Sequence, residues 1–278
     1  MTEFIKSSIF NIQCIIMKIA YFDCFAGASG DMILGSLMDA GLELDQLKLE
    51  LAKLHLTHFD LQVKKVVKQG IAGSQALVIV NETQQNRHPH RNLADIKSII
   101  AQSDLEDSVR QKSIAIFTRL AAAEAKVHQT AIEKIHFHEV GAMDAIIDVV
   151  GAVAGITTLG IQKIICSPLH LGSGTVASAH GTLPVPAPAT AELVKGKPVY
   201  STGVEGELLT PTGAAILTTL ASDFGPMPTM SVEQIGYGAG ESDPSIPNLL
   251  RVMIGKTAED LGNCEMEQAA VIGTNFMK

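Results

Sequence analysis

Lys18-Ile-Ala-Tyr-Phe-Asp-Cys-Phe25, followed by Gly27-Ala-Ser-Gly-Asp31, is the stretch that decides the fold. Its first eight residues are mostly apolar, which predicts a buried strand, and the glycine-rich run after them predicts a tight turn. An apolar-periodic segment then continues to about Gly41 and predicts a helix. The chain therefore opens with a strand, a glycine-rich loop and a helix.

The later segments add both kinds of element. Two β-branched runs, 61–68 and 76–80, are separated by Gly70 and Gly73 and predict a pair of antiparallel strands. Further strands are predicted at 163–166, 235–240 and 248–254, and helices at 42–56, 93–100, 109–128, 142–159, 189–194 and 210–220. We predict a mixed α/β (α+β) fold, in which a mixed sheet with an early antiparallel strand pair carries flanking helices.

Composition excludes some classes of partner. The chain has 278 residues, 46% of them hydrophobic, which is ample for a core, and its formal charge of −8 argues against nucleic acid. Residues 145–161 carry one charge, Asp148, but a charge costs about 2.5–3.5 kcal/mol at a bilayer centre, so we predict a buried helix and no membrane span. Four dispersed cysteines without a CxxC pair favour a reducing cytoplasm.

The first candidate site is the glycine-rich loop itself. Backbone amides of such a loop, at the start of a helix, can hold a phosphate. We predict a cofactor-binding role for five residues, namely Asp23, Gly27, Ser29, Gly30 and Asp31. The loop matches neither a Walker loop nor a dinucleotide fingerprint, so a plain tight turn remains the alternative, and Asp31 is a candidate helix cap or metal ligand.

The second candidate site is His136-Phe-His-Glu-Val-Gly-Ala-Met-Asp144, followed by Asp148. On a strand, His136 and His138 would share a face while the phenylalanine between them points into the core. Asp144 and Asp148 are four residues apart and would share a face of the following helix. Imidazole suits nickel and carboxylate suits magnesium or manganese, so we predict that these four residues bind metal. Glu139 is a candidate catalytic base or a helix cap, and a hydrogen-bonded polar network is the alternative for the whole set.

Two further segments carry candidate residues. Arg87-His-Pro-His-Arg91 places His88 and His90 in a polar loop that could deliver a metal, although a solvated loop is the alternative. Gly172-Ser-Gly-Thr175 precedes His180, and its glycines and hydroxyls predict a second anion site, with His180 as a catalytic or metal-ligating residue. The cofactor-binding candidates here are Gly172, Ser173, Gly174 and Thr175.

Five ordered blocks of this sequence resemble the family of nickel-insertion proteins that completes the nickel-pincer nucleotide cofactor of lactate racemase. They are Phe22 to Met32, His136 to Ala145, Ser167 to Thr175, Ala179 to Thr190 and Glu205 to Gly213. The resemblance runs from about Lys18 to Gly255. It implies a nickel chelatase of the lyase class that loads Ni²⁺ into pyridinium-3,5-bisthiocarboxylic acid mononucleotide, forming sulfur–nickel and carbon–nickel bonds.

The resemblance also implies an arrangement of domains and partners. Residues 1–17 are expected to be an extension, 18–255 the family's N-terminal domain, and 256–278 a linker with the truncated start of a C-terminal domain. In the family, CTP with Mn²⁺ or Mg²⁺ and oligomer assembly are associated with that second domain. We therefore expect a separately encoded C-terminal domain as partner, a homo-oligomer when complete, and lactate racemase apoprotein as a further partner. The alternatives are a non-catalytic nickel-binding or interaction module and a Mg-dependent phosphohydrolase.

Overall fold

The computed structural model describes residues 17–80, 91–135, 137, 143–178 and 181–257. Within these ranges the chain forms seven α-helices, a short 3₁₀ helix at Ile132–Lys134 and thirteen strands. The helices are α1 Gly30–Asp39, α2 Leu44–Ala52, α3 Leu93–Ala101, α4 Asp107–Val127, α5 Met143–Thr158, α6 Pro188–Leu193 and α7 Pro211–Leu220. Every predicted helix is present, and most differ from the prediction by a few residues at their ends.

A seven-stranded mixed sheet forms the centre of the fold, which confirms the predicted fold class. Its order is β11 (Asp223–Phe224), β4 (Lys163–Cys166), β1 (Lys18–Asp23), β13 (Leu249–Thr257), β12 (Met230–Ala239), β3 (Ile71–Val80) and β2 (Phe59–Lys68). β1 lies parallel to β4 and antiparallel to β13. The early pair, β2 and β3, is antiparallel as predicted, and each strand is longer than its β-branched run.

The remaining strands form three two-stranded pairs outside the main sheet. β5 (Leu169–His170) pairs with β9 (Val199–Tyr200), β6 (Gly172–Ser173) with β10 (Gly206–Glu207), and β7 (Thr175–Ser178) with β8 (Gly181–Pro184). The segment 172–175, predicted as a loop, is therefore divided between two short strands. At the other end, β13 runs to Thr257, two residues into the predicted linker, and residues 258–278 lie outside the described ranges.

Helix α5 is the central helix of the core. It contacts α1, α2, α4 and α7, and twelve of its sixteen residues are buried. At 1.5 Å per residue it spans about 24 Å, less than a bilayer's hydrocarbon core of about 30 Å. In the described part of the chain, no helix is both long and apolar enough to cross a membrane. The apolar stretch around Asp148 is thus a buried helix, as predicted.

Glycines of β12 let the backbone of helix α1 approach the sheet closely. A Cβ atom at Gly238 would lie 1.8 Å from the Met32 carbonyl oxygen, and one at Gly236 would lie 2.1 Å from that of Ser36. Asp39 at the end of the helix accepts hydrogen bonds from the Ser74 hydroxyl at 2.7 Å and from the Tyr237 amide at 2.9 Å. The beginning of α1, which carries the first candidate site, is therefore held by direct backbone contact.

We expect Gly238→Ala to lower the free energy of unfolding by about 1–3 kcal/mol, because the new methyl group forces α1 away from β12. Denaturant unfolding of the two proteins measures the difference. Gly225→Ala is the matched control, since a Cβ there meets no atom within 4 Å. An unchanged unfolding midpoint for Gly238→Ala would contradict the close packing.

Candidate functional site

The backbone of the glycine-rich loop after β1 is in direct contact with the backbone at Leu208. Gly27 has a φ of +77°, and a Cβ there would lie 2.0 Å from the Leu208 carbonyl oxygen. The Gly27 amide donates to the Cys24 carbonyl at 3.0 Å, and the Ala28 amide donates to Leu208 at 2.9 Å. These two amides are used within the protein, so the amides left for an anion are those at the start of α1.

Asp31 occupies that helix start. Ser29 holds the N-cap position without a side-chain cap, and its hydroxyl donates instead to the Asp31 carboxylate. Burial raises the pKa of Asp31, and the hydrogen bonds from Ser29 and from the amides of Met32 and Asp31 oppose that rise. The acid lies in the first turn, where the helix dipole favours its charge, which fits either a cap or a cation ligand better than a phosphate neighbour.

Asp148 faces this helix start from α5. A Cβ atom at Gly30 would lie 2.4 Å from Asp148 Oδ2, so the glycine makes room for the carboxylate. Asp148 Oδ1 is inaccessible to solvent and makes no hydrogen bond to a described residue. Its pKa is raised well above the ordinary value, first by burial, then by the charge of Asp31 and then by that of Asp144.

These three acids form what we call the carboxylate cluster: Asp31, Asp144 and Asp148. Asp144 lies one turn before Asp148 and is exposed, so the predicted shared face of α5 is found. Mutual repulsion and burial both disfavour full ionisation, and a divalent cation would relieve both. Among the described residues, however, no group of three or more His, Cys, Asp and Glu side chains is arranged to hold a metal ion. The cluster can therefore supply only part of a ligand set.

The remaining predicted metal and catalytic residues lie outside the described ranges. They are His88, His90, His136, His138, Glu139 and His180. Phe137 is described: it is buried as predicted, packs edge-on against Phe117 and donates its amide to the Arg91 carbonyl at 3.2 Å. It belongs to no strand, so the strand assumed in the spacing argument for the two histidines is not found there.

The Asp23 carboxylate forms an ion pair within the sheet. It pairs with the Arg251 guanidinium on β13, and the two residues are directly opposite in the antiparallel register. Gly27, Ser29, Gly30 and Asp31 are brought together as predicted, whereas Asp23 is held by a protein cation. Its cofactor-binding role remains a prediction that this ion pair does not favour.

The second predicted anion site is partly used for packing. A Cβ at Gly172 would lie 2.0 Å from the Gly206 carbonyl oxygen, and the Ser173 hydroxyl donates to the Val204 carbonyl at 2.9 Å. Gly174, with a φ of +82°, has open space around it, and Thr175 beside it is exposed. Only these last two residues have groups facing outward, and ligand binding by the set remains a prediction.

The fold creates a cavity that sequence reasoning missed. Its volume is about 490 Å³, within the usual range for ligand sites. Its walls come from the end of α4 and the segment after it, from the β7–β8 hairpin, and from the starts of α6 and α7. The lining residues used below are Lys134, Ile135, Phe137, Ala177, Leu183 and Glu207. No sequence pattern connects such separated segments.

Two further pairs of side chains were also missed. His170 is stacked on Tyr200 with ring centroids 4.6 Å apart, and its Nε2 accepts from the Thr202 amide at 3.2 Å. Its Nδ1 must therefore carry the proton and donate to the Phe25 carbonyl at 2.9 Å. Cys24 and Cys166, dispersed in sequence, meet at the ends of β1 and β4, and burial followed by hydrogen bonding to Cys24 raises the pKa of Cys166 well above its ordinary value. The Cys166 thiol stays protonated and is a poor metal ligand in this state.

We expect Asp148→Asn to stabilise the metal-free protein near pH 7.5 by about 1–3 kcal/mol, because the amide cannot ionise and each unit by which burial raises the pKa of Asp148 costs about 1.4 kcal/mol. The folded-state pKa is raised, so the penalty is absent below the unfolded-state pKa, grows as pH rises from that value towards the folded-state pKa, and is constant above it. Denaturant unfolding should therefore show the gain near pH 7.5 and its disappearance near pH 4.

Asp144→Asn is the control, because that carboxylate is exposed and its loss should change stability much less. Destabilisation by Asp148→Asn near neutral pH would mean that the native carboxylate is already compensated.

Comparisons with known proteins agree with one another. A family model described as nickel insertion protein matches residues 20–276. The chain is 56% identical over 244 residues to a pyridinium-3,5-bisthiocarboxylic acid mononucleotide nickel insertion protein of Desulfitobacterium hafniense, covering 88% of this chain and 60% of that protein. The corresponding protein of Geobacillus kaustophilus is 47% identical, over 86% of this chain and 60% of its own length.

A putative nickel insertion protein of Dictyoglomus thermophilum is 46% identical over 94% of this chain and 66% of its own length. The chain thus spans about three fifths to two thirds of the length of these relatives. No solved structure matches it.

Proposed function

Because this chain belongs to the nickel insertion protein family, we propose that it inserts Ni²⁺ into pyridinium-3,5-bisthiocarboxylic acid mononucleotide, acting as a nickel chelatase together with a C-terminal domain. The product is the nickel-pincer cofactor, which lactate racemase uses. The carboxylate cluster is the observation that supports the proposal most directly. Asp148, whose Oδ1 is buried and has no hydrogen-bond partner among the described residues, lies beside two more acids, an arrangement that a divalent cation stabilises.

Nickel and the second metal would use different ligands. Imidazoles suit Ni²⁺, so we assign nickel to His136 and His138, with His88 and His90 as the residues that deliver it. The carboxylates Asp31, Asp144 and Asp148 suit Mg²⁺ or Mn²⁺, and Asp144 follows the histidine segment directly along the chain. CTP, with such a metal, would act through the C-terminal domain.

Insertion also requires a base. When nickel replaces hydrogen on a ring carbon, the carbon–nickel bond forms and a proton leaves, whereas the two sulfur atoms bind the metal by donating electron pairs. Glu139 and His180 are the candidate proton acceptors. Both follow segments that line the cavity, since Phe137 and Ser178 are lining residues two positions before them.

The phosphohydrolase alternative has less support. It would use Asp23 and Asp31 together with magnesium, but Asp23 is paired with Arg251. The alternative of a nickel-binding or interaction module shares the metal ligands and differs only in catalysis. A cytoplasmic location fits the two free, buried thiols of Cys24 and Cys166, which a reducing compartment preserves.

We expect purified chain to retain stoichiometric Ni²⁺ after dialysis, and the double variant His136→Asn/His138→Asn to lose it, because imidazole is replaced by a weak amide ligand. Metal analysis of the dialysed proteins is the measurement. The matched control is His55→Asn/His58→Asn, which keeps the fold because both positions have positive φ, a conformation that asparagine tolerates. Equal nickel content in the two double variants would reject the ligand assignment.

The activity test combines the chain with the separately produced C-terminal domain, the mononucleotide, Ni²⁺, CTP and Mn²⁺, followed by lactate racemase apoprotein. Racemase activation is expected only when both parts are present, and Asp148→Asn should reduce it roughly ten- to a hundredfold. Full activation by the chain alone would reject the requirement for a partner. Nickel retention without activation in any mixture would favour the binding-module alternative.

A further inference from the structure

The cavity of about 490 Å³ is distinct from the carboxylate cluster, because none of the three clustered acids and none of the glycines of the predicted sites lines it. Its lining combines apolar and charged side chains. Ile135, Phe137 and Leu183 give it apolar walls, while Lys134 and Glu207 bring a cation and a carboxylate from opposite segments of the chain. Apolar walls with a few placed polar groups are typical of sites for small organic ligands.

The charged groups match the parts of a mononucleotide. Lys134 is exposed at the 3₁₀ helix and can meet a phosphate from solvent. Glu207 on β10 is half-buried and lines the opposite wall, and carboxylates commonly accept hydrogen bonds from ribose hydroxyls. Glu124 and His128, with 3.5 Å between Oε2 and Nε2, lie together on the α4 wall. Ile135 and Phe137 are apolar lining residues against which an aromatic ring can pack.

The cavity is also joined to the carboxylate cluster through short backbone links. Leu208, next to Glu207, accepts the Ala28 amide at 2.9 Å, and Ala28 in turn accepts the Thr210 amide at 3.1 Å. Two residues after Ala28, Gly30 contacts Asp148. The wall that carries Glu207 and the turn that carries the cluster are therefore parts of one rigid connection.

We propose that this cavity is the binding site for the pyridinium mononucleotide, with its phosphate at Lys134, its ribose at Glu207 and its ring against Ile135 and Phe137. This deepens the proposed function and rests on it. The placement puts the ring beside Phe137, whose chain neighbours His136 and His138 are the assigned nickel ligands.

The test measures binding of the mononucleotide to the chain by calorimetry, without nickel. Ala177→Phe adds a ring to an exposed lining position and should weaken binding at least tenfold, because it fills the space of the ligand. Val67→Phe is the control, since Val67 is an exposed residue of β2 that does not line the cavity. It should bind like the wild type.

A second variant tests the orientation. Lys134→Ala should weaken the mononucleotide roughly fivefold at low salt and leave its dephosphorylated nucleoside unchanged. Lys112→Ala, an exposed lysine on α4 away from the cavity, should change neither. An equal loss for nucleotide and nucleoside would overturn the phosphate assignment.

The outcomes separate the two proposals. If the wild type binds the mononucleotide and Ala177→Phe binds it equally well, the cavity is not the site, while the proposed function stands. If the wild type does not bind the mononucleotide at all, the proposed function of this chain and the cavity assignment both fail.

Discussion

The backbone contact between Ala28 and the segment from Leu208 to Gly213 is the constraint on which the rest of this structure depends. Ala28 exchanges hydrogen bonds with Leu208 and Thr210, and a Cβ at Gly213 would lie 2.2 Å from the Ala28 carbonyl oxygen. The start of α1 and the start of α7 are thus fixed against each other with no side chain between them. Since α1 carries Asp31 and the α7 segment carries a cavity wall, the contact sets the relation between cluster and cavity.

That rigidity explains how the fold tolerates Asp148. A buried carboxylate without a partner costs about 1–3 kcal/mol, a large share of the 5–15 kcal/mol that stabilises a typical domain. Its neighbours on α5 are almost all buried apolar residues, and they hold the helix whatever the state of the acid. The cost is then concentrated at one point, where a cation can remove it. An uncompensated buried carboxylate is expected at a ligand site and not in a core selected for stability alone.

The spacing of apolar residues along the sequence was sufficient to predict most of the helices and strands. The apolar pattern of 142–159, for example, gave α5 within two residues, because a fully buried helix keeps its apolar residues on every face. Strand ends were less predictable: β13 continues through Lys256 because its partners β1 and β12 supply hydrogen bonds there, which no local pattern encodes. Helical spacing predicted that Asp144 and Asp148 share a face of α5. It could not predict that Asp31, on α1, lies close to Asp148.

Contacts between distant segments account for what the sequence could not predict. Asp23 finds Arg251 across 228 positions, and Cys24 lies beside Cys166 only because β1 and β4 are parallel neighbours. Gly27 and Gly172 were interpreted as residues that let a ligand approach, yet each has another protein backbone within 2.0 Å of its missing Cβ. Sequence shows that a close approach occurs but not which molecule makes it.

This difference bears on how the site can work. A phosphate loop binds through many backbone amides, but here the amides of Gly27 and Ala28 already donate to Cys24 and Leu208. Apart from the amides at the start of α1, recognition of an anionic ligand would then rely on side chains such as Lys134 and on metal ions held by carboxylates. Side chains and exchangeable metals can release what they hold more readily than a rigid amide nest. The nickel transfer that we propose requires the product to leave as well as the substrate to bind, and that arrangement suits both steps.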